Sequence, residues 1–360
     1  MAPKLFQRYL MREAFAAILL VLAAFIALFS FFDLINELRS VGKGGYQYGH
    51  AIIFVTLSVP ARLYELIPIA VLIGTLYCLS TLARHSEITV LRASGMSTRD
   101  LLLTLFRVAG VLALVTLLIG EAVMPFSERA AQELKTRAVK NVIAHQGFDT
   151  GLWVKDGRNF INIRTATADS RLQGVRIYRF DESAALESVT EAREGEFRIP
   201  DRWVLTDVVS TRIEGERASV ERRDSLEWQS AVTPDLLSVL MVAPERMSLY
   251  GLYHYFRHLS DNRQKTERYE IALWKKLIYP LAALVMVALA LPFGYSHDRI
   301  GGVSMKIFAG VMIGILFHML NGLFSSLGVI NAWPPFASAA MPSALFLLAA
   351  VGMIWWVERR

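Results

Sequence analysis

Apolar residues in this chain fall into long unbroken blocks instead of recurring at the short intervals of an amphipathic helix or strand. A block of about 18 or more apolar residues is long enough to cross the ~30 Å hydrocarbon core of a bilayer as a helix. Six such blocks are present: Ala14 to Phe32, Leu66 to Ala83, Leu101 to Gly120, Leu277 to Tyr295, Ile307 to Ile330 and Pro335 to Val357. The pattern therefore predicts an integral membrane protein with six transmembrane helices.

Lys and Arg in the short segments between the blocks predict how the helices are oriented. Positive residues are enriched in the cytoplasmic loops of membrane proteins. If the N-terminus is cytoplasmic, the outer short segments hold only Arg39 and Lys43, and the inner ones hold Lys4, Arg8, Arg12, Arg84, Arg92, Arg99, Arg299, Arg359 and Arg360. We therefore expect both termini in the cytoplasm and Val123 to Glu270 in the periplasm. The net charge of +6 then reflects topology more than a nucleic-acid surface.

The middle of the chain follows a different pattern. Short apolar and aromatic runs, from GLWVKDGRNFINIR to SLEWQ, alternate with turn residues. Asp156-Gly157 between two such runs is a strong hairpin signal. The pattern predicts an all-β sandwich or roll, flanked by helices, the second of which Ser248 can cap. The single cysteine, Cys78, lies in a predicted span, so no disulfide framework stabilises this domain.

The expected layout is thus an α-helical membrane protein with an inserted β-domain. Residues 1–123 hold the first three spans, 124–270 the β-domain with its flanking helices, and 271–360 the last three spans. Signatures of enzymes are missing from the sequence: SVGKGGY is an incomplete P-loop, the seven histidines lack metal-binding spacing, and there is no G-x-S-x-G elbow. We expect no catalytic residue, metal site or cofactor in this chain.

The segment between the second and third blocks, STLARHSEITVLRASGMSTRD, is patterned as a helix of its own. Ile88, Val90 and Leu91 recur with near-helical spacing, and Gly95 is suited to end a helix. The spacing predicts a short cytoplasmic helix from Ser86 to Ser94. It suits either a connector lying on lipid headgroups or a coupling helix docked in an ATPase, where a carboxylate such as Glu87 would pair with an arginine.

Several ordered motifs resemble one family, the LptF/LptG permeases of lipopolysaccharide export. They are LSVPARLYELIPIAVLIG, LARHSEITVLRASGMS, GLWVKDGRNFINI and LWKKLIYPLAALVMVALALPF, and the resemblance covers essentially the whole chain. LWVKDG and the C-terminal WWVERR resemble the LptG branch. The resemblance implies a jelly-roll-like β-domain and a coupling helix at about 84–96. It places the ATPase contact on Arg84, Ser86, Glu87, Ile88, Leu91 and Gly95, with Ile88 and Leu91 on the apolar floor of the ATPase cleft.

The resemblance also implies the partners and the substrate. These are an LptF-like paralogous subunit, two copies of an LptB-like ATPase that binds ATP and Mg²⁺, and an LptC-like single-span bridge protein. Lipopolysaccharide would be taken from the outer leaflet of the inner membrane of a Gram-negative bacterium and passed to a periplasmic bridge. The alternative is a non-transporting membrane sensor or scaffold with a ligand-binding β-domain, which needs no ATPase.

Basic residues near the outer ends of the spans are candidates for binding lipid phosphates. We expect Arg39, Arg62 and Lys135 to do so, because phosphates favour charge-assisted donors. Arg39 and Lys135 match basic family positions, whereas Arg62 is only adjacent to one. Snorkelling of each side chain to the membrane interface is the alternative.

Overall fold

The computed structural model describes residues 5–93, 95, 97–139, 151–166, 171–181, 183, 185–198, 202–215, 217–230, 243–262, 264–295 and 302–359. Before the β-domain lie α1 (Leu5–Leu38), α2 (Tyr48–Arg84), α3 (Glu87–Ala93), α4 (Thr98–Leu118), a π-helical turn (Ile119–Val123) and α5 (Met124–Val139). After it come a 3₁₀ turn (Pro244–Arg246), α6 (Leu249–Asp261), α7 (Glu267–Ile278), a second 3₁₀ turn (Tyr279–Leu281), α8 (Ala282–Tyr295), α9 (Gly302–Ile330) and α10 (Pro335–Glu358).

Six helical stretches of the described chain are long and apolar enough to cross a membrane, as the sequence predicts. The third combines α4, the π turn and α5, and the fourth combines α7 and α8. Pro280 lies in the 3₁₀ turn that separates α7 from α8, and proline removes a helical hydrogen bond. One end of this bundle leads into the β-domain and is called the domain end. The other carries α3 and is called the α3 end.

The second span lies at the centre of the bundle and the first at its periphery. In the most apolar 18-residue stretch of each, 78% of residues are buried in α2 and 17% in α1. Gly310 and Gly314 of α9 face α2 so closely that added Cβ atoms would lie 2.5 Å from Leu76 and 2.8 Å from Ile69. Small residues allow such close helix packing in membranes.

The β-domain is a six-stranded antiparallel sheet in which each strand pairs with the next along the chain. The strands are β1 (Leu152–Asp156), β2 (Asn159–Ala166), β3 (Arg171–Phe180), β4 (Leu186–Arg198), β5 (Arg202–Glu214) and β6 (Arg217–Gln229). Asp156 and Gly157 begin the tight turn between β1 and β2, and Gly157 has φ +59°. The predicted hairpin is confirmed.

The sheet curves around its own inner face. A single buried cluster draws side chains from all six strands and includes the fully buried Trp203. Gly174 in β3 and Asp207 in β5 have positive φ and break the in–out alternation, so that Leu172 and Val175 both point inward, as do Leu205 and Val208. Irregularities of this kind bend strands and increase their twist. The two irregularities lie on either side of Arg193 in β4, and together they bend the sheet at this point.

Candidate functional site

The segment predicted to couple the chain to an ATPase forms a short helix across the α3 end. It begins after Ser86, which has φ +60°, and ends before Gly95, which has φ +91°. Left-handed residues on both sides turn the chain sharply out of α2 and into α4. Ser97 then caps α4, since its Oγ accepts a hydrogen bond from the Asp100 N–H at 3.1 Å. The helix is thus held between two fixed turns. The predicted end at Ser94 lies outside the described residues.

The two faces of α3 differ in what they contact. Ile88 is 6% exposed and belongs to the core of the bundle. This corrects the expectation that Ile88 fills an ATPase cleft, because a side chain inside the chain's own core is not available to a partner. Val90 is 66% exposed, although it is not among the residues predicted to contact the ATPase. The side chain of Leu91 lies outside the described residues.

Glu87 lies beside the first span. Its carboxylate faces the Tyr9 hydroxyl in α1. Among the described side chains, no lysine or arginine forms an ion pair with Glu87. Arg84 ends α2 and is exposed. The α3 end therefore presents a carboxylate, a cation and an apolar side chain that the described part of the chain leaves accessible.

At the domain end, Arg62 joins α2 to α1. Its guanidinium donates from Nε and Nη2 to the two carboxylate oxygens of Asp33 at 2.8 and 2.6 Å. A third bond, from Nη1 to Glu65, is 3.1 Å long. A bidentate pair of this kind fixes orientation as well as adding energy. Arg62, expected to bind a lipid phosphate, is thus already engaged by two carboxylates.

Lys135 makes a comparable contact between α5 and α1. Its Nζ lies 2.9 Å from Oε1 of the buried Glu37 and 4.9 Å from the centre of the Phe54 ring. The hydroxyl of Tyr46 also faces Glu37, and burial, together with this carboxylate, raises the pKa of Tyr46. Asp33 and Glu37 are one helical turn apart, so the same face of α1 is attached to α2 and to α5.

Arg39 differs from Arg62 and Lys135. It follows α1, is exposed, and forms no ion pair with any side chain that the structure describes. Of the three predicted lipid-binding residues, it alone presents its full charge to the surroundings. A phosphate at this rim would have to compete with Asp33 for Arg62 and with Glu37 for Lys135.

A second charged group at the domain end was not found from the sequence. Arg246 lies 2.9 Å from Glu128, whose side chain is 3% exposed, and 3.9 Å from Glu65. Lys276, 4% exposed, lies 3.5 Å from Glu121 and donates to the Met247 carbonyl. Charged residues at the edges of apolar blocks are a signal for functional or structural pairing. Their partners lie far apart in the chain and could not be read from local spacing.

Six apolar helices, three on each side of an inserted β-domain, define a multi-pass membrane protein whose soluble domain is anchored by both halves of the bundle. Residues 8–357 match the model of the family described as "Lipopolysaccharide export system permease LptF/LptG". The chain belongs to this family. It is therefore a multi-pass inner-membrane subunit of a lipopolysaccharide export permease.

Individual relatives cover the same extent of the chain. It is 30% identical over 354 residues to the lipopolysaccharide export system permease protein LptG of Haemophilus influenzae, with 98% of each protein covered. It is also 30% identical over 357 residues to the protein of the same name from Escherichia coli K12, again with 98% of each covered. The similarity thus spans both helical halves and the β-domain.

Proposed function

We propose that this subunit works in an ATP-driven exporter that takes lipopolysaccharide from the outer leaflet of the inner membrane and passes it to a periplasmic bridge. Its partners in this proposal are an LptF-like subunit, two LptB-like ATPases that bind ATP and Mg²⁺, and an LptC-like bridge protein. The observation that carries the proposal is α3. A short helix held between two left-handed residues, with Val90 exposed and Glu87 lacking a cation among the described residues, is suited to dock in another protein.

The α3 end would face the cytoplasm, where ATP is available, and the β-domain would lie in the periplasm. The enrichment of Lys and Arg in the segments of the α3 end supports this orientation. So does the C-terminal end of α10, where Arg359 lies 3.7 Å from the ring centre of Trp355. Tryptophan with a neighbouring cation is typical of a helix end at the membrane interface.

Closure of the ATPases would move α3 as a rigid element. Ile88 anchors the helix in the core of the bundle, and Glu87 lies beside Tyr9 of α1. A displacement of α3 would therefore reach the first two spans together. The first span is the less buried of the two, so its movement sacrifices less packing energy.

At the domain end, the lipid phosphates would first meet Arg39, whose charge is exposed. Arg62 and Lys135 would follow by exchanging a carboxylate for a phosphate. A guanidinium fork binds either group with parallel hydrogen bonds. Before substrate arrives, Asp33 and Glu37 neutralise these two cations near the membrane.

Purification of the complex from its native membrane tests the docking role of α3. Val90→Asp places a charge on the exposed apolar position, and Val220→Asp in β6 is a matched control, since the two valines are 66% and 64% exposed. We expect Val90→Asp to lose the copurifying ATPase and Val220→Asp to retain it. If Val90→Asp copurifies with as much ATPase as the unmodified protein does, the docking role is contradicted. If the unmodified protein brings down no ATPase, the sensor or scaffold is favoured instead.

A further inference from the structure

The start of α6 is bound to the transmembrane bundle by a charged pair, the buried Lys276 and the partly exposed Glu121. Both carboxylate oxygens of Glu121 accept from the Leu249 N–H, at 3.0 and 2.9 Å. Lys276 completes this contact, since it pairs with Glu121 and donates to the carbonyl of Met247. A carboxylate at the first turn of a helix is favourable for the helix dipole. The third span, the fourth span and α6 therefore meet at one joint.

The π-helical turn determines where Glu121 lies. The turn inserts an extra residue between α4 and α5, and such turns are frequent at functional positions in helices. Gly120, just before Glu121, lets the ring of Tyr64 approach so closely that an added Cβ would lie 2.6 Å from it. The turn is thus fixed against the second span, and Glu121 has little freedom to leave the joint.

Above this joint, α6 and the first half of α7 form one rigid pair. Leu252, Tyr255 and Leu259 of α6 pack on Ala272 of α7 in a small core of their own. The rings of Tyr255 and Tyr269 meet edge to face with centroids 4.5 Å apart. The 13 residues of α6 correspond to a length of about 20 Å at 1.5 Å per residue. A displacement at the lower end is therefore carried to the upper end without bending.

The upper end of the pair contacts the β-domain. Asn262, the C-cap of α6, accepts a hydrogen bond from the N–H of Gly157 at 2.9 Å. Its amide also donates to the carbonyl of His258 at 2.9 Å, which fixes the side-chain orientation. Gly157 belongs to the β1–β2 turn, and the neighbouring Asp156 accepts from the Ser230 hydroxyl, just after β6, at 2.6 Å. The first strands of the sheet and the end of the last strand thus meet at this contact.

We propose that the α6–α7 pair is a strut that carries movement of the spans to the β-domain, with Glu121 and Asn262 as positioning residues at its lower and upper ends. The effect of the strut on substrate transfer rests on the proposed export function, whereas the contacts that form the strut lie within this chain. Substrate passing from the bundle to the β-domain would then meet a domain whose orientation follows the state of the spans.

The first test measures lipopolysaccharide delivered per ATP hydrolysed by the complete complex in proteoliposomes. Asn262→Ala removes the acceptor for Gly157, and we expect this ratio to fall about fivefold, within the range by which coupling residues shift an equilibrium, while ATP hydrolysis persists. Asn262→Asp keeps an acceptor and should restore part of the ratio. Asn331→Ala, at an exposed position after α9, should behave as wild type. An unchanged ratio in Asn262→Ala overturns the strut.

The second test needs no transport. Spin labels at the exposed positions Ser260 in α6 and Ser219 in β6 report the distance between the strut and the β-domain in the full complex, with the buried Cys78 replaced by alanine. We expect a narrow distance distribution that broadens in Asn262→Ala and in Glu121→Gln, which loses the charge beside Lys276. Equal widths in all three proteins contradict the strut. Failure of export in wild type, with this broadening present, would count against the export proposal alone.

Discussion

The two ends of the helical bundle differ in how many of their charged side chains are paired within the chain. At the domain end, Arg62, Lys135 and Arg246 lie 2.6 to 2.9 Å from carboxylates on other helices. At the α3 end, Glu87 has no cation beside it among the described side chains and faces the Tyr9 hydroxyl, and Arg84 is exposed. Charges that pair within the chain hold helices together, whereas accessible charges can serve a partner. The domain end is therefore stabilised from within, and the α3 end is the one suited to receive another protein.

Replacement of Glu87 should have the largest effect, because it acts at the accessible end. An exposed ion pair contributes only ~0–1 kcal/mol, but stranding a charge in a desolvated interface costs about 3–5 kcal/mol. We expect Glu87→Ala to abolish export while the protein still inserts, and Glu87→Gln to be milder. Glu87→Arg should fail alone and recover in part when the ATPase arginine becomes glutamate. Normal export by Glu87→Ala at native expression would reduce α3 to a connector.

Replacement of Arg62 should chiefly affect stability, because its partners lie within the chain. Arg62→Ala leaves Asp33 without its cation, leaves Glu65 with Arg246 alone, and removes the bidentate contact between α1 and α2. Hydrogen bonds to charged groups contribute about 1.5–3 kcal/mol, and we expect a loss at the lower end of this range, since the pair is partly exposed. Thermal unfolding of the purified complex in detergent measures it. Arg39→Ala is the control, and equal melting temperatures for both variants would show that the Asp33 pair contributes nothing.

Charge reversal should have different effects at Arg39, which has no ion-pair partner among the described side chains, and at Lys135, which is paired with Glu37. Arg39→Glu should weaken crosslinking to lipopolysaccharide in a complex that assembles and melts normally. Lys135→Glu should weaken crosslinking and also lower the melting temperature, because it places a second carboxylate beside the buried Glu37. If both variants crosslink as wild type does in assembled complexes, the two residues are interfacial anchors.

Replacement of a carboxylate in the β-domain, away from both ends of the bundle, should have the smallest effect on stability. Asp181, after β3, accepts from the hydroxyl of Ser183 at 2.7 Å and from the Ala185 N–H at 2.8 Å, and these bonds lower its pKa. Since the folded pKa lies below the unfolded one, the stabilisation is present above the unfolded value and is lost as pH falls through the folded value. Asp181→Asn should slightly lower the melting temperature at pH 7, and this difference should vanish in acid. A difference that persists in acid would contradict the assignment.

The sequence predicts elements better than it predicts contacts between them. The spans and the Asp156-Gly157 hairpin follow from block length and turn chemistry, which are local properties. Asp33 and Glu37, which pair with Arg62 and Lys135, are 29 and 98 residues away in the chain, so these contacts depend on helix packing. The faces of α3 were assigned wrongly for Ile88, because spacing in a seven-residue helix does not distinguish the side toward its own bundle from the side toward a partner.

The contrast between the two ends is tested most directly by one crosslinking experiment with a photoreactive residue at either of two positions. In the native membrane, a probe replacing Val90 should crosslink to a nucleotide-hydrolysing protein and not to lipopolysaccharide. A probe replacing Arg39 should crosslink to lipopolysaccharide and not to that protein. Reversed partners would contradict the account of the two ends, and lipid alone at position 90 would make α3 a membrane-surface connector.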